Sequence, residues 1–229
     1  MDFLIISIIL LIIVITLKIL FGYNLKKIKE MAVNEELDKI GDKYPENIDM
    51  CKEYLKMLKN EDVEIEENKD SEASLYIAIT NKISIANVRK TYTRIQTIAH
   101  ECLHSIQDRK LLMFNFIFSN IYIAYFIIIC ALEIFNILPN SMIFLTILIL
   151  FGFTQYIVRA YLENDAMIKA RYLAKEYMNN KKISDGQEVE KIVKGFDNIN
   201  DIGIKCVNYN LFLSVMVKAL IFSIICIFI

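Results

Sequence analysis

Apolar and polar positions along this chain separate into long blocks rather than mixing. Four apolar runs occupy residues 2–21, 111–132, 141–158 and 210–229. At 1.5 Å rise per residue, each is long enough for a hydrocarbon core about 30 Å thick. They predict four transmembrane helices. The first is too long for a signal-peptide core, lacks a positive leading segment and has no small-residue cleavage site, so it reads as an uncleaved anchor.

The polar stretches carry shorter periods. Leu37, Ile40, Tyr44, Ile48, Cys51, Tyr54, Leu55 and Leu58 recur at helical spacing, with breaks expected at Gly41 and Pro45. The acidic residues 61–70 read as an exposed loop or strand edge. Residues 74–79 and 82–86 alternate and are rich in β-branched side chains, which predicts a short hairpin about Thr80 and Asn81. It serves either as an edge for an extended substrate or as structure alone. Residues 88–109 predict a helix with a broad apolar face at Ile95, Ile98, Ala99, Cys102, Leu103 and Ile106. Residues 160–174 predict another, with a small-residue face at Ala166, Ala170 and Ala174. Residues 180–203 are polar and partly helical.

The resulting fold class is mainly α: a polytopic membrane protein with four transmembrane helices, a cytoplasmic metal-binding helix and a short β-hairpin. Its segments are an anchor (1–21), a cytoplasmic region with the hairpin and metal helix (22–110), a transmembrane helical hairpin (111–159), a second cytoplasmic helical region (160–209) and a last transmembrane helix (210–229).

Composition supports this. Of 229 residues, 55% are hydrophobic, too apolar for an ordinary soluble domain. Outside the apolar runs, Lys and Arg fall only within residues 22–110 and 159–209. The positive-inside rule places both segments in the cytoplasm and both termini outside. Lys18 is near enough to the basic side to snorkel there, whereas Lys218 lies inside the last run. A net charge of −1 and no basic stripe argue against nucleic acid as a partner. The five cysteines form no disulfide framework: Cys130 and Cys226 fall in spans, and Cys51 and Cys206 in reducing cytoplasm.

The candidate chemistry sits in one pentapeptide, His100-Glu101-Cys102-Leu103-His104, which holds the chain's only two histidines. Four residues apart on a helix, two imidazoles share a face and can grip one zinc ion. Glu101 can then act as general base toward an attacking water. Cys102 points away and reads as a packing residue. The plain alternative is two surface histidines with no ligand. A catalytic zinc takes a third protein ligand, which must return to the same membrane side and depth as His100. Glu163, one turn beyond the third run, does so. Asp165 is its local rival, or else a group that orients a histidine. Glu133 falls on the opposite side. For the oxyanion, Tyr161, Arg159, Asn164 and Arg171 remain open as donors.

His100-Glu101-Cys102-Leu103-His104-Ser105-Ile106-Gln107, followed after an apolar hairpin by Glu163-Asn164-Asp165-Ala166, with Ala170 and Leu173 beyond, resembles the YugP-like neutral zinc metallopeptidases of bacteria. The family form is HEVGHAIQ, then a hydrophobic hairpin, then E-x-[DN]-A-S-x-x-A. The resemblance spans about residues 74–229, with Leu103 where the family has glycine and Met167 where it has serine. It implies an amino-terminal anchor and a strand before the metal helix, matched by Lys82-Ile83-Ser84-Ile85. It also implies the peptidase class, but no substrate.

The expected function is a membrane-embedded zinc metallopeptidase of the bacterial cell membrane. It would cut peptides or membrane proteins at the cytoplasmic surface, with zinc on His100, His104 and Glu163 and with Glu101 as base. Prenyl-peptidase-type proteases share the HExxH motif but place the acidic run after the third ligand differently. The competing class is a non-catalytic membrane scaffold or regulator with a degenerate or storage metal site. A transporter has little support, because Lys218 is the main ionisable group within the spans. Oligomeric state is not legible.

Overall fold

The computed structural model describes residues 2–68, 70–71, 73–86 and 91–229. Among these the chain is mainly helical, with seven helices and one small three-stranded sheet. In chain order they are α1 (Asp2–Met31), α2 (Glu35–Gly41), α3 (Asn47–Met57), β1 (Glu64–Asn68), β2 (Leu75–Ile77), β3 (Lys82–Ala86), α4 (Thr93–His104), α5 (Arg109–Ile134), α6 (Ser141–Lys181) and α7 (Gly186–Phe228). They fall into two compact units: Met1–Leu25 with Phe114–Tyr161 and Lys205–Ile229, and Lys26–Met113 with Leu162–Ile204.

The first unit holds the apolar parts of α1, α5, α6 and α7. These four helices are long and apolar enough to cross a membrane. Their outer faces confirm the character: Ile12, Ile19, Ile127 and Leu150 are each at least 59% exposed. Exposed apolar area on that scale suits lipid, not water. Inside, Leu10, Tyr122, Ile129, Leu148, Val215 and Phe222 form the packed centre. Ser7 and Ser223 hydrogen-bond there at 2.8 Å. Gly152 permits a close approach, because a Cβ there would collide with Val215 and lie 2.8 Å from Tyr122 Oη. At the hairpin end, the Glu133 carboxylate accepts from Ser141 Oγ at 2.7 and 2.8 Å.

The runs at 141–158 and 210–229 are only parts of longer helices. α6 extends without a break to Lys181 because no Gly or Pro follows Gly152 within it. The turn comes at Lys182, which takes a left-handed φ of 54°. Asp185 then accepts from Glu188 N at 2.8 Å and starts α7.

The second unit is built around Met50, Tyr54, Ile83, Ile95, Ile98 and Phe196. The helical period in residues 37–58 yields two helices separated near Gly41 and Pro45, as the breakers predict. Arg94 joins them to α4. It is 1% exposed, and its guanidinium donates to Gly41 O, Tyr44 O, Pro45 O and Asn47 Oδ1 at 2.6 to 3.1 Å.

The sheet order is β1-β3-β2. β2 and β3 form the expected antiparallel pair, with Tyr76 opposite Ile83, although β2 is shorter than residues 74–79. The acidic stretch takes the strand-edge form of the two expected for it. Glu64–Asn68 pairs in parallel with β3. Two interactions bring it there: Val63 and Ile65 pack on the core, and Lys82 neutralises Glu64 and Glu66 at 3.2 and 2.7 Å.

The expected helix over 88–109 is also revised. Residues 88–90 lie outside the described residues. α4 begins at Thr93 and stops at His104, not Arg109. There the Ser105 hydroxyl donates to Cys102 O at 2.6 Å, and Asn60 Nδ2 holds Ser105 O and Oγ at 3.2 and 2.9 Å. Such side-chain bonds compete with a continuing helix. Asp108 Oδ1 accepts from Lys110 N at 2.7 Å and opens α5.

Candidate metal centre

The local structure of α4 places the two histidines. Tyr54 Oη donates to Ile95 O at 3.0 Å, and Tyr92 N–H donates to Asp38 Oδ1 at 2.9 Å. With Ile95, Ile98, Ala99 and Cys102 buried on one side, His100 and His104 project together on another, as an i, i+4 pair must. Their rings stand edge to face, with centroids 4.6 Å apart. The Nε2 atoms are 3.0 Å apart.

Glu163 comes from α6. Ala166, Ala170 and Ala174 are fully buried in the core of this unit, and small side chains allow that part of α6 a close approach. Glu163 Oε2 lies 3.5 Å from His100 Nε2 and 3.7 Å from His104 Nε2. A tetrahedral ion with ligands at 2.0 to 2.1 Å needs ligand atoms about 3.3 Å apart. The three observed separations bracket that value. His100, His104 and Glu163 therefore form a group that can hold a metal ion. Two imidazoles and one carboxylate would leave a fourth tetrahedral position for a further ligand.

Gln107 orders this group. Its Nε2 donates to Leu162 O at 2.8 Å and Asp165 Oδ2 at 3.2 Å. Its Oε1 therefore faces His104 Nδ1, 2.8 Å away, as an acceptor. That bond puts the proton on Nδ1 and leaves the Nε2 lone pair for a metal. Asp165 thus does not orient a histidine directly. It binds Gln107 and, at 2.6 Å, Lys169.

Glu101 faces the sheet. Its Oε2 accepts the backbone N–H of Tyr76, in edge strand β2, at 2.9 Å. The residue is buried. Burial raises its pKa, against the lowering effect of the two histidines. Glu163 behaves oppositely. Burial pushes its pKa up, but the hydrogen bonds and charges of both histidines outweigh burial and hold it well below the usual range. For His104, burial lowers the pKa and Glu163, Glu101 and Gln107 more than restore it.

Cys102 is fully buried in the core, its Sγ 3.6 Å from that of Cys51. Burial raises its thiol pKa well above the usual value, and its place in the core beside Cys51 leaves it outside the His100, His104 and Glu163 group. Of the oxyanion candidates, Arg171 is engaged by Asp197 at 2.7 Å and by Tyr172. Tyr161 is 62% exposed, and it and Arg159 belong to the other unit. Asn164 stands beside Glu163 on α6. Gln107 and the Tyr76 N–H received no role from sequence reasoning. For Gln107 the available signal was its place three residues beyond the second histidine. For Tyr76 a backbone group leaves none. No protein-family model, curated protein or solved structure matches this chain.

Proposed function

We propose that this chain is a membrane-embedded zinc metallopeptidase and a divergent member of the YugP-like group it resembles. One observation carries the reading: two Nε2 atoms and one carboxylate oxygen converge at tetrahedral-edge distances, beside a buried glutamate held by an edge strand. Zinc suits two imidazoles and a carboxylate, and when bound it supplies Lewis acidity toward water and a peptide carbonyl.

The residues divide the remaining work. His100, His104 and Glu163 hold the ion. Gln107 fixes the tautomer of His104. Glu101 takes the proton of the attacking water and delivers it to the departing amine. The Tyr76 N–H holds one carboxylate oxygen, which leaves the other available for that transfer. Along the chain, the group lies within a few residues of the apolar stretches of α5 and α6. With the positive-inside orientation, this puts the site on the cytoplasmic side of a bacterial cell membrane. Its substrates are then membrane proteins or peptides close to that surface.

Glu101→Gln tests the reading. In membranes carrying the variant, zinc content stays at the wild-type level and proteolysis stops. Full cleavage by the variant removes Glu101 as base. Zinc binding without cleavage by the wild type, across a proteome-wide comparison of the two membranes, makes the group a storage or structural site.

A further inference from the structure

Asn200 of α7 is 3% exposed. Phe196, one turn earlier, belongs to the hydrophobic core of this unit, and Ile199 packs against it. An amide in such surroundings loses its water and needs other partners. It finds them on two other helices. Gln96 Nε2, on α4, donates to Asn200 Oδ1. Asn200 Nδ2 donates to the Met167 carbonyl, on α6, at 3.0 Å. A carbonyl only accepts, so Met167 O fixes which end of the Asn200 amide faces α6. The other end then requires Gln96 to present its nitrogen.

The ends of this bridge sit beside the metal group. Gln96 precedes His100 by four residues, and Met167 follows Glu163 by four. On a helix, each is the next residue along the same face. The bridge therefore joins α4 to α6 one turn from the place where His100 Nε2 and Glu163 Oε2 stand 3.5 Å apart. Gln107 joins the same two helices beyond His104, through Leu162 O at 2.8 Å. Along α4, the metal group thus lies between two amide ties.

Ligands drawn from two helices must be held to about 0.5 Å of their working geometry. Apolar contacts are non-directional, whereas hydrogen bonds fix both length and direction. For the core alone, apolar side chains of similar shape in place of both amides would serve about as well. We infer that Asn200 is a positioning residue for the metal group. Through Gln96 and Met167 it sets the spacing between the two histidines and Glu163. This rests on His100, His104 and Glu163 being a metal site.

The test is metal binding by the full chain in detergent. Chelator competition reads zinc affinity. Cobalt(II), bound in place of zinc, reads coordination geometry through its visible absorption. Asn200→Leu keeps the branched shape and removes both bonds. It binds zinc about tenfold or more weakly than wild type, and its cobalt spectrum changes. Gln96→Met removes one of the two bonds and has an intermediate affinity. Asn198→Leu, at an exposed amide on the same helix, keeps wild-type affinity and spectrum. A folded Asn200→Leu with wild-type affinity overturns the inference. So does weaker binding that follows a lowered Tm and leaves the cobalt spectrum unchanged, which makes Asn200 purely structural. If Asn200→Leu does not fold, wild-type binding by Gln96→Met overturns the inference equally. Absence of metal binding by the wild type overturns the metal group itself, and this inference with it.

Discussion

Gln107 accepts from His104 Nδ1 at 2.8 Å while its own amide is tied to the Leu162 carbonyl. The bond joins the end of α4 to the α6 turn that carries Glu163, so one side chain sets both a tautomer and a spacing. Gln107→Ala should weaken zinc binding about 10- to 100-fold. Competition with a chromogenic chelator reads this directly. Unchanged affinity would make Gln107 a packing residue.

Tyr76 donates a backbone hydrogen to Glu101, and only proline removes it without changing the carboxylate. Tyr76→Pro should lower kcat by about tenfold or more with zinc content retained, because the base loses its fixed orientation. Tyr76→Phe, which keeps the N–H, should leave kcat near wild type. Equal losses in both variants would point to the side chain instead.

Protons compete with a metal for His104. Its pKa is raised above the ordinary 6.5 in the metal-free protein, with burial opposing and Glu163, Glu101 and Gln107 prevailing. Zinc affinity should therefore be flat in mild alkali and fall as pH drops through that raised value, by about tenfold per pH unit for each proton displaced. The metal-free protein has its own pH window. The raised His104 pKa stabilises the fold at low pH and loses that effect as pH rises through it. The depressed Glu163 pKa stabilises the fold above the unfolded carboxylate value and loses that effect as pH falls toward its folded pKa. Together they place the best stability of chelator-treated protein between the carboxylate and histidine ranges. Thermal unfolding across pH 4 to 9, about the range both groups span, checks this. A metal-free Tm that keeps rising into alkali would contradict it.

Arg94 holds the junction of α2 and α3 to the start of the metal helix. Its buried guanidinium donates to three carbonyls and one amide oxygen. Arg94→Ala should destabilise the protein by about 3 kcal/mol or more, because those acceptors become buried without donors. Arg94→Lys should recover little, since one ammonium cannot reproduce the fork. Denaturant unfolding of the two variants decides it.

The apolar runs announced the long helices because lipid-length hydrophobicity is a strong signal. The spacing of His100, His104 and Glu163 was equally legible, since an i, i+4 pair and a residue one turn beyond a span follow from helix geometry. The misses share a cause. For β1 the sequence left a loop and a strand edge both open, because the partner that favours the strand, Lys82, is distant in sequence. α4 stops early through the Ser105 hydroxyl on Cys102 O and through Asn60, which holds Ser105 from far along the chain. The roles of Arg94 and Gln107 likewise depend on backbone carbonyls brought near by folding, which leave no mark on residue type.

X-ray absorption at the zinc edge, on the purified full chain and on Glu163→Ala, goes to the centre of the account. It predicts two imidazole nitrogens and carboxylate oxygen around one zinc in the wild type, with the oxygen contribution altered and zinc weakened in the variant. A sulfur ligand from Cys102, or a zinc environment untouched by the loss of Glu163, would contradict it.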